Sequence, residues 1–128
     1  MKINEKNYYD KKKNWNFNNF DIISEKLTDW DMYDILNNLS NENSKILDIG
    51  TGGGEQLLEH FPCVKEIVGT DYSREMIKTA NHNLLKSKRK NIKFRVMNNL
   101  KMDVPMNYYD IIVARNTVID AKQIYDAL

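Results

Sequence analysis

The sequence predicts an α/β domain of three layers, with helices on both faces of a parallel sheet whose strand order is 3-2-1-4. Two observations support this fold class. Short apolar runs alternate with amphipathic, helix-like segments from residue 45 to residue 128, which is the pattern of repeated strand–helix–strand units. The first run also ends in an acid and a glycine-rich loop that leads directly into a helix-like segment. Because connections between parallel strands are right-handed, these units build one parallel sheet.

Composition limits the class of protein. The chain has 128 residues, of which 41% are hydrophobic and 29% charged, and its formal net charge is +1. These values are typical of one soluble domain that charge alone does not draw to nucleic acid or membrane. A single cysteine, Cys63, excludes an internal disulfide and fits a reducing compartment. The sequence contains no apolar run of about 18 residues and no secretory signal. We therefore predict a cytoplasmic protein with no membrane contact and no metal site.

The N-terminal stretch, residues 1–44, is predicted to be an arm and helices that cover the site. Residues 1–20 interleave lysines with aromatic rings, which is compatible with stacking on nucleic-acid bases. We favour the alternative that the rings pack on the domain while the lysines stay in water, because the run is short and no recognised nucleic-acid-binding module is present. Residues 21–39 carry apolar side chains at helical spacing, and Thr28 with Asp31 resembles a capping box.

The first half of the sheet region predicts two strands and two helices. Residues 45–49 form an apolar run without alternation, which is typical of a strand covered on both faces. After the glycines, residues 55–61 indicate a short helix that Pro62 ends. Residues 64–71 form the second strand, and Ser73 is placed to cap the long helix that follows. We interpret the basic end of that helix as a solvated helix terminus rather than a nucleic-acid site: Lys86, Lys88, Arg89 and Lys90.

The second half predicts two more strands and a last helix. Residues 92–96 alternate apolar and charged side chains, which indicates an edge strand. Residues 98–107 form a polar loop, residues 108–114 form the fourth strand, and Asp120 can cap a final helix. The unbroken apolar run of the fourth strand favours cover on both faces and neighbours on both sides. These positions give the order 3-2-1-4, with a ligand at the switch point between the first and fourth strands.

The glycine loop distinguishes two classes of ligand. A dinucleotide site follows the pattern G-x-G-x-x-G, but the sixth position counted from Gly50 is Glu55. An acid at that position would repel a pyrophosphate. The loop instead has glycines at alternate positions, 50, 52 and 54, behind Asp48 at the end of the strand. A carboxylate there suits a cationic group, so these residues favour a zwitterionic ligand over a polyanionic one.

The segment Asp48-Ile49-Gly50-Thr51-Gly52-Gly53-Gly54 resembles the first motif of the class I S-adenosylmethionine-dependent methyltransferases, a Rossmann-like family. Asp71, which follows Gly50 by 21 residues, matches the ribose-binding acid of the family, although NAD enzymes share that acid. Tyr72 resembles the side chain that packs on the adenine. The resemblance covers residues 45–128. It implies a Rossmann-like domain that binds S-adenosyl-L-methionine and its product S-adenosyl-L-homocysteine.

A third match lies in the loop after the third strand. In the family, an acid that often holds the adenine amino group lies 12 residues before the acid of an aromatic–Asp pair, and counting back from Asp110 gives Asn98. Asparagine departs from that acid, but its carbonyl oxygen can still accept a hydrogen bond without charge, and Asn99 can share the role. The resemblance therefore implies a set of cofactor-binding residues: Asp48, Gly50, Thr51, Gly52, Gly54, Asp71, Tyr72, Asn98 and Asn99.

The resemblance also implies a reaction, the transfer of a methyl group from S-adenosyl-L-methionine to an acceptor. The residues after the fourth strand would face the methyl group: Arg115, Asn116 and Thr117. Arg115 fits an anion or a structural ion pair equally, and the sequence shows no clear general base. The Asn-Pro-Pro-aromatic signature of amino-group methylation on bases is absent. The expected acceptor, although unidentified, is therefore a small molecule rather than nucleic acid.

Family domains continue with a fifth strand and an antiparallel hairpin, whereas this chain ends at Leu128. The resemblance therefore implies a chain truncated before the fifth strand, with the cofactor part present and low or no turnover. The fourth strand would then be an exposed apolar edge, through which the chain could self-associate. Two alternatives stay open. One is a non-catalytic S-adenosylmethionine-binding fragment or interaction module, and the other is an NAD-dependent oxidoreductase, against which Glu55 argues.

Overall fold

The computed structural model describes residues 31–128, and residues 33–128 form one compact unit. The interpretations of the basic and aromatic stretch 1–20, and of the helical segment before residue 31, lie outside the described residues. Within residues 31–128, no helix is both long enough and apolar enough to cross a membrane.

Helices and strands alternate along the described chain. The helices are α1 (Met32–Leu39), α2 (Glu55–His60), α3 (Arg74–Ser87) and α4 (Ala121–Ala127). The strands are β1 (Lys45–Ile49), β2 (Glu66–Asp71), β3 (Ile92–Val96) and β4 (Ile111–Ala114). The bounds of β1 and β3 are those that the sequence predicts.

The four strands form one parallel sheet in the order β3-β2-β1-β4, which confirms the predicted fold class and strand order. β1 lies between β2 and β4, and every side chain from Ile46 to Ile49 is buried. In the register of the sheet, Asp48 lies between Gly69 of β2 and Val113 of β4. The central place of β1 explains its unbroken apolar run, because a strand covered on both faces has no solvated side.

β3 lies at one edge of the sheet, as its alternating sequence predicts. Phe94 is buried on the α3 side, while Lys93 is exposed. The Phe94 ring occupies the space above two glycines: a Cβ atom added to Gly69 or to Gly54 would approach ring carbons to 2.7 Å. Glycine at both positions therefore allows the helix layer and the loop to approach the sheet closely around this ring.

β4 is shorter than predicted and lies at the other edge. The prediction began this strand at residue 108, but it begins at Ile111. The backbone N–H groups of Tyr108 and Tyr109 donate instead to the carbonyl oxygen of Ala127 in α4, at 2.9 and 3.0 Å. In the described chain β4 pairs with β1 alone. The expectation of neighbours on both sides is therefore wrong for this strand, whereas the expected free edge is present.

α4 completes the third layer on the face of the sheet opposite α3. Asp120 caps this helix as predicted, because its carboxylate accepts a hydrogen bond from the Gln123 N–H at 3.1 Å. The last turn of α4 packs into a buried cluster with side chains from β1, β2 and the segment before β4: Leu47, Ile49, Val68, Tyr109 and Ala127. Helices thus cover both faces of the sheet. Because all four strands are parallel, their carboxyl ends lie at one rim.

The basic end of α3 is exposed as predicted at Lys86, Lys88 and Lys90 but differs from the prediction at Arg89. Arg89 is half-buried rather than solvated, and its guanidinium donates to carbonyl oxygens near the end of α2, at distances of 2.8 to 3.3 Å: Leu57, Leu58, Phe61 and Pro62. The last carbonyl groups of a helix have no partner within the helix. Arg89 therefore caps α2 from a distance and holds α2 against the end of α3.

Replacing this cap should destabilise the domain. We expect Arg89→Ala to lower the free energy of unfolding by about 2 kcal/mol, because several carbonyl groups lose a charged donor. The exposed neighbour Lys90 provides the matched control, and Lys90→Ala should change the value by less than about 0.5 kcal/mol. Urea unfolding followed by far-UV circular dichroism measures both. Equal losses for the two variants would contradict the capping role.

Candidate cofactor site

The loop after β1 owes its shape to alternate glycines. Gly50, Gly52 and Gly54 have backbone φ angles of +77°, +60° and +76°, a left-handed conformation that side chains oppose and glycine adopts freely. The N–H groups of Gly50 and Thr51 both donate to the carbonyl oxygen of Thr70 in β2, at 2.8 Å each. This shared acceptor turns the chain sharply away from β1 and toward α2.

The glycines of the loop face different surroundings. A Cβ atom added to Gly50 would approach the Cβ atom of Thr117 to 2.9 Å, so the segment after β4 packs directly against the start of the loop. At Gly52 an added Cβ atom would meet nothing within 4 Å. The middle of the loop therefore borders open space, as a ligand site at this rim requires, while its two ends are closely packed.

Asp71, the last residue of β2, is fixed beside this open space. One carboxylate oxygen accepts a hydrogen bond from the Gly52 N–H at 3.0 Å, and the other accepts one from the Ser73 N–H at 2.9 Å. Ser73 is also the predicted N-cap of α3, since its hydroxyl oxygen accepts from the Met76 N–H at 3.2 Å. Tyr72, between the two, has 74% of its surface exposed, so its ring is available to a ligand.

Asp48, the acid before the loop, is fully buried and forms an ion pair. Its Oδ2 atom lies 3.3 Å from a guanidinium nitrogen of Arg115, whose side chain is 21% exposed. Burial raises the pKa of the Asp48 carboxyl above its ordinary value, and the positive charge of Arg115 opposes that rise. The Thr51 hydroxyl also hydrogen-bonds this carboxyl and opposes the rise in its pKa.

Tyr33, on α1, is a part of the site that sequence reasoning missed. Its hydroxyl oxygen accepts a hydrogen bond from Arg115 at 2.8 Å, and the hydroxyl donates to Oε1 of Gln56 in α2 at 3.1 Å. The ring stacks on His60 with 4.5 Å between ring centroids. His60 is itself an exposed surface residue, and this stacking gives it a packing role. The only sequence signal for Tyr33 is its place on an apolar stripe, which does not identify a polar contact.

The segment after β3 meets the segment after β4 beside the loop. Asn99 donates from Nδ2 to the hydroxyl oxygen of Thr117 at 2.6 Å, and its Oδ1 atom is buried without a partner in the described chain. Asn98 behaves differently, because its Oδ1 atom accepts from the backbone N–H of Leu100 at 2.9 Å. Gln123 of α4 holds this segment from the other side by bonding the Leu100 carbonyl and the Met102 N–H, at 2.8 and 2.6 Å.

The structure thus brings the sequence-predicted residues to one rim of the sheet. Of the residues after β4, Arg115 forms the ion pair, Thr117 contacts Gly50, and Asn116 is exposed with a left-handed φ of +50°. Within residues 31–128, no group of three or more His, Cys, Asp or Glu side chains is arranged to hold a metal ion.

These residues fit S-adenosyl-L-methionine better than a dinucleotide. The site offers an open space at Gly52, a fixed carboxylate at Asp71, an exposed ring at Tyr72 and buried acceptor atoms without partners. Those groups match hydroxyl, amino and ammonium donors on a ligand. The Glu55 carboxylate lies against Gly53, where an added Cβ atom would contact it. A pyrophosphate near the start of α2 would meet that negative charge.

A glycine loop at the switch point of a parallel sheet, with an acid at the end of the neighbouring strand, defines the class: a Rossmann-like domain for a nucleoside ligand. A family model described as a methyltransferase domain matches residues 40–127. The chain therefore belongs to the methyltransferase domain family, in agreement with the resemblance that its sequence motifs indicate.

Individual relatives agree with this assignment. The uncharacterized methyltransferase YcgJ of Bacillus subtilis is 31% identical over 71 residues, which are 56% of this chain and 28% of that protein. The crystal structure of YcgJ matches with a TM-score of 0.58 and 27% identity, over 63% of this chain and 35% of that one. A Methanococcus maripaludis protein, provisionally assigned as an S-adenosyl-L-methionine-dependent methyltransferase, shares the fold, with a TM-score of 0.63 and 24% identity over 74% of this chain and 48% of that one.

A third solved relative contains a ligand. PKMT2 from Rickettsia typhi, solved in complex with S-adenosylhomocysteine, matches with a TM-score of 0.50 and 29% identity, over 57% of this chain and 15% of that one. S-adenosyl-L-methionine is thus the cofactor of this class. The chain spans less than half the length of each of these relatives.

The Asp48–Arg115 pair makes the stability of the domain depend on pH in a predictable way. Arg115→Met removes the charge that lowers the pKa of Asp48, so the folded-state pKa rises further. A buried acid with a raised pKa stabilises the fold less as pH rises from its ordinary pKa through its folded-state pKa. We expect the variant to lose about 3 kcal/mol or more at pH 8, where Asp48 is buried and charged without a partner, and less at pH 5.

Urea unfolding at the two pH values measures this difference, and a second variant isolates its cause. Combining Asp48→Asn with Arg115→Met removes the titrating group, so the extra loss at pH 8 should disappear. A single variant whose loss of stability is the same at pH 5 and pH 8 would contradict the proposed ion-pair energetics.

Proposed function

We propose that this chain binds S-adenosyl-L-methionine over the glycine loop and takes part in methyl transfer to a small-molecule acceptor. The observation that carries the proposal is the fixed Asp71 carboxylate beside the open middle of the loop. Each of its oxygens accepts one backbone N–H, from Gly52 and Ser73. A carboxylate has about four lone-pair sites, so acceptor capacity is left for the ribose hydroxyl groups. The exposed ring of Tyr72 offers an apolar face to the adenine.

The amino-acid end of the cofactor is matched by the buried ion pair. That end carries an ammonium and a carboxylate group. Asp48 supplies a carboxylate, and Arg115 has a buried Nε–H without a partner among the described residues. A zwitterion placed against an ion pair adds no net charge to the site, which keeps the electrostatic cost of binding low.

When bound, the cofactor supplies a methyl group made electrophilic by the positive sulfur. The residues of this chain then have to hold the cofactor and the acceptor in line with each other, because positioning alone provides much of the rate enhancement of a methyl transfer. The glycine loop and Asp71 fix the adenosyl part, while Arg115 and Thr117 are engaged in the ion pair and in the Asn99 bond. Asn116 follows β4 at the same rim and is exposed, and its side chain forms no ion pair or hydrogen bond of this kind within residues 31–128. We assign acceptor positioning to Asn116.

The proposal extends to the domain organisation and the compartment. We assign residues 45–128 to cofactor binding and residues 1–44 to the cover of the site. The bond between Tyr33 of α1 and Arg115 supports the second assignment for residues 33–44, which belong to the same compact unit as the loop. We also assign the protein to the cytoplasm, since its one cysteine, Cys63, is an exposed free thiol of the kind that a reducing compartment preserves.

Binding of S-adenosyl-L-homocysteine tests the proposal directly. Isothermal titration calorimetry of the wild-type chain should give a saturable signal, and Asp71→Asn should weaken binding about tenfold or more, because it removes the charged acceptor for the hydroxyl groups. Glu42→Ala, at an exposed acid in the turn before β1, should leave the affinity unchanged. Absence of heat from the wild type at high micromolar ligand would overturn the proposal.

Turnover requires a separate measurement. Incubation with S-adenosyl-L-methionine and a panel of small-molecule acceptors, followed by detection of S-adenosyl-L-homocysteine, identifies the acceptor class. Binding without product formation across the panel would favour the non-catalytic binding fragment. A saturable calorimetric signal with NADH, without binding of S-adenosyl-L-homocysteine, would favour the oxidoreductase alternative, against which the position of Glu55 argues.

The free edge of β4 supports a proposal about assembly. In the described chain β4 pairs with β1 alone, and exposed apolar side chains follow it, Val118 and Ile119 among them. Unpaired strand edges of this kind promote association between chains. We expect the apparent mass to rise with concentration in size-exclusion chromatography with light scattering. Lys substitutions at Val118 and Ile119 should reduce the rise, whereas a constant monomer mass over a hundredfold concentration range would contradict it.

A further inference from the structure

The glycine loop is tied to α3 by the side chain of Asn83. The Nδ2 atom of this half-buried residue donates a hydrogen bond to the backbone carbonyl oxygen of Gly53, at 2.9 Å. The same nitrogen lies 3.4 Å from Oε1 of Glu55, the first residue of α2. An amide NH2 group has two hydrogens, so it can serve both oxygens. One side chain of α3 therefore holds both the end of the loop and the start of α2, which lie 30 and 28 residues earlier in the chain.

This tether joins the loop to a different element from its other hydrogen bonds. The start of the loop is held by the Thr70 carbonyl, and its middle is held by the Asp71 carboxylate, so both of these acceptors belong to β2. Near its end, the Gly54 N–H donates to the Thr51 carbonyl at 3.1 Å, which is a bond within the loop. Asn83 therefore supplies the attachment of the loop to α3.

α3 is held in place independently of this hydrogen bond. Ile77 and Ala80 on its inner face are buried, and Ser73 caps its start. Arg89 holds its other end against α2. Loss of the Asn83 amide should therefore leave the fold intact and act on the loop, where three left-handed glycines give the backbone more freedom than other residues would.

A loop that is held before the ligand arrives loses less conformational entropy when the ligand binds. This step rests on the proposed function, binding of S-adenosyl-L-methionine over the loop. We propose that Asn83 is a positioning residue for the cofactor, which fixes the loop in its binding conformation in the free protein through the Gly53 carbonyl. Its effect on affinity is indirect, because it acts through the backbone of the loop.

Calorimetry with S-adenosyl-L-homocysteine tests the proposal on the full chain. Asn83→Ala should weaken binding about fivefold to tenfold, because the ligand must then order the loop itself, at a cost comparable with one hydrogen bond. Asn83→Asp has the same size but presents a carboxylate to the Gly53 carbonyl and to Glu55. It should weaken binding at least as much, which attributes the loss to the donor rather than to packing. His82→Ala, at the exposed neighbour on the same helix, should stay within about twofold of the wild type.

Hydrogen exchange separates positioning of the loop from a general loss of stability, and thermal melting verifies that each variant is folded. In free Asn83→Ala, the backbone amides of residues 52–56 should exchange faster than in the wild type, while those of β1 and β2 stay protected. Saturating S-adenosyl-L-homocysteine should restore slow exchange in the loop. Wild-type affinity in Asn83→Ala or Asn83→Asp, or faster exchange throughout the sheet, would overturn the inference while leaving the proposed function intact. Failure of the wild type to bind S-adenosyl-L-homocysteine would overturn both.

Discussion

The buried carboxylate of Asp48 is the constraint on which the site depends. It lies on the central strand, fully covered, at the point where the glycine loop begins. A buried charge needs a partner, and β4, the strand beside β1, supplies it through Arg115. Arg115 then bonds Tyr33, and Tyr33 bonds Gln56. One electrostatic requirement on β1 therefore draws together the end of β4, the first described helix and the helix after the loop.

The loop itself is determined by packing against β2 and β3, on the same face of the sheet as Asp48. The Thr70 carbonyl accepts from two successive N–H groups, and the Phe94 ring fills the space that side chains at Gly54 and Gly69 would need. The hydrogen bonds hold the start of the loop against β2, and the Phe94 ring prevents its end from moving closer to α3. Only its middle, at Gly52, borders open space. The three left-handed glycines therefore have different surroundings although they share one backbone conformation.

Much of the fold could be predicted from local sequence, because the pattern of apolar residues within each strand indicates how many of its faces are buried. The apolar run of β1 and the alternation in β3 correctly placed these strands at the centre and the edge. The start of β4 could not be predicted in this way. The N–H groups of Tyr108 and Tyr109 pair with Ala127, which is distant in sequence, and no local pattern reports that competition. The role of Arg89 was missed for the same reason, since its acceptors lie on another helix.

The candidate site shows the same division between local and distant information. Motif spacing leads to Asp71, Tyr72 and Asn98 as predicted site residues, because each lies at or just after a strand end whose position is locally determined. The sequence did not determine the partner of Asp48, since Arg115 was equally suited to bind an anion or to form a structural ion pair. The pairing of β4 with β1 decides between them, because it brings Arg115 next to Asp48. Once the pair exists, the site contains a matched cation and anion, and its remaining acceptors differ in charge: carboxylates at Asp48 and Asp71, and a neutral amide at Asn99. Asp48 is paired with a guanidinium that strand pairing brings to it, whereas Asp71 is held by the backbone N–H groups of Gly52 and Ser73, close to it in the loop and in sequence. The surroundings of Asp71 can therefore be inferred from local sequence, and those of Asp48 cannot.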